Sequence, residues 1–341
     1  MQSKFSDIFR LRAWVMAYSG PLIYWYFSLF YVSLATGFMR DVWSIILQLL
    51  ALMLGAAWGV LLNDYFDRDV DIAAGKSEIE RGHGFSAKQV AALVVILLAV
   101  TISIQVFLTI WIVGPDLIYI ALWILGILSS VFYSVPPLRF KTKGFTGLLV
   151  NSAIERPIPV LIIFSFSKYY GVEMIIFGLL TELIWTIFKH QRLDVKGDSI
   201  AKIKTAAVIL GEKTSIKIVD LIINPLSVIS AITLLIIAWI KLEDARVFIS
   251  ISLFLTVAGI ITLLVMERKG ILSSDPYILD PPYIVFLQFS YMAIILPSLA
   301  IPVLLKQPIF MPIIILYIFS VYKHVKYSIS LIPGVVRRVL G

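Results

Sequence analysis

Nine residues, Asn63-Asp64-Tyr65-Phe66-Asp67-Arg68-Asp69-Val70-Asp71, hold four aspartates and an asparagine directly behind an apolar run ending at Val60-Leu61-Leu62. Carboxylates are costly in hydrocarbon, so acids set against a membrane segment point to a functional site. If the preceding helix continues through them, Asn63, Asp67 and Asp71 share one face at i, i+4 and i+8. Asp64 flanks that face and Asp69 points away. Like charges at these spacings repel unless a cation lies on the face. A second pair, Asp194 and Asp198, repeats the i, i+4 spacing within His190-Gln191-Arg192-Leu193-Asp194-Val195-Lys196-Gly197-Asp198. Two carboxylate faces suit Mg²⁺, which takes one or two carboxylates and completes its shell with phosphate and water. Lys76, Arg81, Arg139, Lys141, Lys143, Lys202 and Lys204 lie in the same connecting stretches. Metal and Lys/Arg together describe a diphosphate site. A calcium loop fits less well: Asp67, Asp69, Asp71 and Glu78 match an EF-hand frame, but Ile72 stands where the turn requires glycine.

The elements that must position these residues are membrane helices. Of 341 residues, 60% are hydrophobic and 15% charged, against about 25% charged in soluble domains. With a mean hydropathy of +0.96, the chain reads as an all-α polytopic membrane protein. Apolar segments fall at 13–36, 43–62, 89–112, 115–132, 147–166, 172–188, 218–240, 247–266 and 281–304, with a shorter run at 307–322 that makes a tenth crossing or a re-entrant end. The absence of cysteine excludes disulfides and thiolate chemistry, and three scattered histidines offer no His-metal site. The net charge of +8 belongs to loops rather than to nucleic-acid binding, because no basic patch is interleaved with aromatics. The first apolar run is too long for a cleaved signal peptide.

Lys and Arg number nineteen in the N-terminus and the connections after segments two, four, six and eight, against four in the others. The positive-inside rule therefore puts the N-terminus and the acidic loops in the cytoplasm. Four segments separate the two acidic loops, which returns both to the same face of a plasma membrane. Between them runs a basic loop, Tyr133-Ser134-Val135-Pro136-Pro137-Leu138-Arg139-Phe140-Lys141. A ligand with a diphosphate head and a long apolar tail fits such loops above an apolar bundle.

These residues resemble the UbiA superfamily of intramembrane prenyltransferases. The family's Asn-Asp-x-x-Asp-x-x-x-Asp motif matches Asn63, Asp64, Asp67 and Asp71 without a gap. Its second motif matches Asp194, Gly197, Asp198, Thr205 and Gly211, and its Tyr-Ser-x-Pro-Pro-x-x-x-Lys stretch matches Tyr133, Ser134, Pro136, Pro137 and Lys141. The resemblance runs from about residue 12 to 304 of a single membrane domain over 1–341, with 305–341 as an apolar and basic extension. It implies nine membrane helices around a central cavity. It also implies two Mg²⁺ ions held by Asp64, Asp67, Asp71, Asp194 and Asp198, and an isoprenyl diphosphate donor. Departure of diphosphate leaves an allylic carbocation for a lipophilic or aromatic acceptor. Asn63 and Tyr133 face the cation or fix the diphosphate; Lys76, Arg81, Ser134, Arg139, Lys141 and Lys204 hold the diphosphate. The chain departs from the family after the first motif, where the prolines of Arg-Pro-Ile-Pro are missing around Lys76 and Arg81.

Polar residues also occur inside the segments. Asn151, Glu155 and Arg156 open the fifth and Glu182 lies in the sixth. Arg156 pairs with Glu182 as a structural ion pair, or Asn151 and Arg156 line the acceptor site and bind an acidic acceptor. The leading reading is a Mg²⁺-dependent prenyltransferase acting on a quinone precursor or a glycerol-phosphate lipid. Its rivals are a lipid-phosphate phosphoribosyl-type transferase with the same motifs, and a cation transporter. A transporter would place its coupling carboxylates near the bilayer midplane rather than at one edge.

Overall fold

The computed structural model describes residues 19–37, 40–73, 87–184, 186–268 and 297–319, together with residues 322, 326, 330 and 333. In chain order these form α1 (Ser19–Thr36), α2 (Val42–Ala73), α3 (Ala87–Leu108), α4 (Leu117–Ser134), α5 (Phe145–Glu155), α6 (Pro157–Phe166) and α7 (Val172–Ile184). There follow α8 (Phe188–Ile200), α9 (Ala206–Leu210), α10 (Glu212–Ile218), α11 (Asn224–Lys241), α12 (Arg246–Arg268) and α13 (Pro297–Lys306). Among the described residues there is no strand, only an isolated parallel bridge between Gly144 and Thr205.

Six described stretches are long and apolar enough to cross a membrane: Val42–Arg68, Lys88–Val113, Leu117–Ser134, Phe145–Phe166, Glu212–Lys241 and Glu243–Thr262. Pro297–Lys306 and Pro308–Phe319 are shorter apolar helices. Large apolar side chains such as Ile110, Trp111, Leu117, Leu149, Leu221 and Phe254 lie on the outside, as a lipid-facing surface requires. The expected segments at 13–36 and 281–304 begin outside the described residues; α1 and α13 are their described parts.

Two interruptions follow from proline. Pro157 has no N–H and disfavours the helical conformation in the residue before it. Arg156 accordingly sits at φ −134°, ψ −57°, ending α5 and starting α6 with Pro157 in its first turn. A π turn over Val219–Ile223 takes up the ladder mismatch ahead of Pro225 in α11.

The chain divides into two compact units. The first takes in Trp43–Val228. There, Ala57, Trp58, Leu61 and Leu62 of α2 pack with Leu97 of α3 and with Val131 of α4. The Tyr119 hydroxyl lies 2.6 Å from Gln48 Oε1 and 2.5 Å from Gln105 Oε1, which ties α4 to both α2 and α3 through a buried polar contact. Phe188 and Val195 of α8 pack on Ala206 and Ala207 of α9 and on Leu148 of α5. The second unit takes in Val15–Val42 and Ile229–Gly341. In it α1 packs against α13, Tyr26 meets Tyr317 edge-on at 5.4 Å, and Lys306 pairs with Asp244.

Candidate active site

The first acidic stretch is helical throughout, because α2 runs without a break from Val42 to Ala73. Asp64 and Asp67 are buried and Asn63 half-buried, while Tyr65 and Arg68 are exposed. By helix register Asp71 falls on the face of Asn63 and Asp67; its side chain, Lys76 and Arg81 lie outside the described residues.

The loop after α4 folds back onto this face. Ser134, fully buried at the end of α4, donates its hydroxyl to Asn63 Oδ1 at 3.2 Å. Arg139 takes the left-handed conformation (φ 35°) that turns the chain. Its NH2 donates to the Phe66 carbonyl at 3.0 Å and to Asp67 Oδ1 at 3.1 Å. Lys141 forms an ion pair with Asp67, and its Nζ lies 3.5 Å from Asn63 Oδ1. The Lys141 side chain is only 6% exposed. Burial pushes its ammonium down to about 8, against the attraction of Asp198 and Asp64. Those two carboxylates belong to different acidic stretches, so Lys141 stands between them.

Gly147 allows this placement. A Cβ there would come within 2.4 Å of the Phe140 carbonyl oxygen and 2.9 Å of Lys141 Cα. Only glycine lets α5 approach the Lys141 backbone so closely.

The second acidic pair lies on α8, and the expected helical spacing holds. Asp194 is exposed and Asp198 half-buried. Thr205 donates its hydroxyl to Asp198 Oδ2 at 3.2 Å and also caps α9. The Gly144 N–H donates to the Lys204 carbonyl at 2.7 Å, which joins the basic loop to the second acidic loop. Lys204 thus acts there through its backbone, and its side chain is exposed. Tyr133, at the end of α4, lies near enough to Glu155, Asp198 and Asp194 to feel their charges.

The donor set fits Mg²⁺. Asp67 of α2 pairs with the buried Lys141, and the carboxylates of Asp64 on α2 and Asp198 on α8 both act on its charge. On α8, Gln191 falls at i−3 and i−7 from Asp194 and Asp198, on their face of the helix. Gln191 is buried and its Oε1 has no partner, a neutral oxygen that sequence reasoning passed over. Among the described residues no three His, Asp or Glu side chains gather into a cage. Mg²⁺ sites on phosphate substrates do not use one.

Deeper along α5 and α7, Arg156 NH1 lies 3.2 Å from Glu155 Oε2 and 3.1 Å from Glu182 Oε2. The structural pair of Arg156 with Glu182 is therefore present, and Glu155 shares the same nitrogen. Asn151 lies one turn before Glu155 on α5.

Comparison with known proteins adds an independent line. Curated proteins give no match to the sequence. Two solved structures are similar in fold, both of a UbiA homolog from Archaeoglobus fulgidus. One, bound to DMAPP and Mg²⁺, has 16% identity and a TM-score of 0.55; the other, bound to GPP and Mg²⁺, has 15% and 0.57. Each alignment covers 95% of this chain and 99% of the other. The family model of the UbiA prenyltransferase family matches residues 23–276. The motifs that Lys141 draws together lie inside that match, and the chain belongs to the UbiA prenyltransferase family.

Proposed function

We propose that the protein transfers a prenyl group from an isoprenyl diphosphate to a lipophilic acceptor, a quinone precursor or a glycerol-phosphate lipid. One observation carries this reading: Lys141 is paired with Asp67 and drawn by Asp198, so both acidic stretches and a buried cation meet at one place. Two Mg²⁺ ions held by Asp64, Asp67, Asp71, Asp194 and Asp198 supply the positive charge that stabilises diphosphate as it leaves. Gln191 adds a neutral oxygen on the α8 side. Lys141 and Arg139 exchange their contacts with Asp67 for the diphosphate oxygens, with Ser134, Lys76, Arg81 and Lys204 as further contacts. Asn63 and Tyr133 direct oxygen dipoles at the allylic carbocation, which the apolar surroundings shield from water. Asn151 faces the acceptor. Arg156, engaged by two carboxylates, orders that wall of the site.

In this reading the chain is one membrane domain of nine or ten spans around a central cavity, in the plasma membrane. The N-terminus and the acidic loops are cytoplasmic, in keeping with the distribution of Lys and Arg. The UbiA homologs of similar fold were solved with DMAPP or GPP and Mg²⁺, which supports the donor class.

The test is purified protein in lipid nanodiscs with radiolabelled geranylgeranyl diphosphate, Mg²⁺ and a panel of acceptors. Donor binding and diphosphate release that both depend on Mg²⁺ are expected. Absence of binding and release with donors of every chain length would sink the reading.

A further inference from the structure

Every prenyl transfer to an O–H, N–H or aromatic C–H acceptor releases one proton, which must be taken up beside the acceptor. Three charged groups beside the site, a buried arginine and two half-buried carboxylates, address this. Glu155 and Glu182 both bond the same nitrogen of Arg156, whose residue is 1% exposed. One cation thus serves two carboxylates. A proton arriving on either one leaves a single neutral ion pair, which an apolar interior favours over a net charge.

The two carboxylates are not equivalent. Glu182 accepts from Arg156 NH1 at 3.1 Å, from the Ile187 N–H at 3.2 Å and from Ser152. These three donors occupy its oxygens, and its side chain is 13% exposed. Glu155 has Arg156 as its one bonded partner among the described residues, keeps an oxygen free and is 31% exposed. Proline places it there. Because Pro157 ends α5, Glu155 is that helix's last residue and Arg156 turns out of it. From α4, Tyr133 lies within the electrostatic reach of Glu155 and of Asp194 and Asp198. Glu155 is therefore the open carboxylate between the Tyr133 end of the diphosphate site and the buried Arg156.

We propose that Glu155 is the general base that takes the acceptor's proton, an inference that rests on the prenyl-transfer reading. The bond from the prenyl C1 to the diphosphate oxygen breaks and its electron pair leaves with diphosphate. A lone pair or π pair of the acceptor forms the new bond to C1. The pair of the acceptor's O–H, N–H or C–H bond stays on the acceptor, and its proton passes to the free oxygen of Glu155. Arg156 then balances Glu182 alone. The other titratable groups around it are Tyr133 on α4 and Lys141 in the loop on which α5 packs, with Lys189 and His190 beyond Arg156.

The test compares wild type with Glu155→Gln and Glu155→Asp, reading turnover across pH and binding of a non-cleavable geranylgeranyl thiodiphosphate with Mg²⁺. Gln keeps an oxygen for Arg156, so the fold and analogue affinity should stay within about threefold of wild type, while kcat falls about 10²–10³-fold. The acidic limb of the kcat profile should vanish in Glu155→Gln and return in Glu155→Asp with part of the rate. A Glu155→Gln kcat within threefold of wild type overturns the proposal. So does a rate loss matched by an equal loss of analogue binding, because the residue is then structural. Wild-type protein that binds no analogue and turns over no donor overturns the prenyl-transfer reading itself, and the base with it.

Discussion

Lys141, in the loop after α4, forms a buried ion pair with Asp67 on α2 while its charge is also drawn by Asp198 on α8. In the proposed reaction this cation meets the diphosphate charge that develops as the donor ionises. Lys141→Met should lower turnover about 10²–10³-fold. Lys141→Arg should recover only part of the loss, since the planar fork does not reproduce a compact ammonium. Diphosphate release measured at saturating donor separates this from weakened binding.

Helical register through the first acidic stretch sorts its aspartates. Asp67→Asn should abolish donor turnover, and Asp71→Asn should do the same through its place on that face. Asp69 falls on another side of α2, so Asp69→Asn should keep turnover within about threefold of wild type. Equal loss in all three variants would contradict the shared face.

Gly147 is where backbone meets backbone. Gly147→Ala brings a methyl against the Phe140 carbonyl and Lys141 Cα, neither of which can swing aside. The strain should cost about 1–3 kcal/mol. It should also move Lys141, so thermal stability and kcat should both fall. A variant with normal stability and rate would show that the contact relaxes freely.

Gln191 brings a buried, unpartnered oxygen to the face of Asp194 and Asp198. Gln191→Leu should weaken Mg²⁺ binding in the presence of donor analogue on the order of tenfold, about 1.4 kcal/mol. Gln191→Asp adds charge and should tighten it. Chelation with EDTA should remove analogue binding in every variant. Calorimetric titration of Mg²⁺ reads these differences without turnover.

Lys189 links folding to pH. Burial first, then the repulsion of Arg156 and Arg192, pushes its ammonium down to about 8, against an ordinary value of 10.5. Between those values the unfolded chain binds more protons than the native one, so stability should rise with pH across that window. Lys141, also near 8, adds a slope of the same sign. Lys189→Met should raise thermal stability at pH 7 and flatten the rise between pH 8 and 10.5. An unchanged slope would mean that Lys189 remains charged in the native protein.

Much of the candidate site's local geometry was legible along the chain. Asn63 to Asp71 revealed themselves by spacing alone, since an i, i+4, i+8 pattern already defines a helix face once the helix continues, and α2 does continue to Ala73. Asp194 and Asp198 followed in the same way on α8. Hydropathy marked the six membrane-length helices found among the described residues, because a ~20-residue apolar run has few other uses.

What residue spacing could not supply is which groups touch. Lys141 was one of seven loop cations singled out for a diphosphate. It became the central one only because Arg139 turns left-handed and α5 crosses closely at Gly147. The bond from Gly144 to Lys204 and the hydroxyl bond from Thr205 to Asp198 join loops far apart in sequence. The sharing of Arg156 between Glu155 and Glu182 depends on α5 and α7 meeting, and the spare oxygen of Gln191 on what fails to meet it. Residue types and periodicity are local properties, so the sequence by itself determined the membrane helices, the acidic faces and the chemistry they invite. Pairing among buried charges depends on distances of a few ångströms between separate elements, and only the tertiary structure decided those.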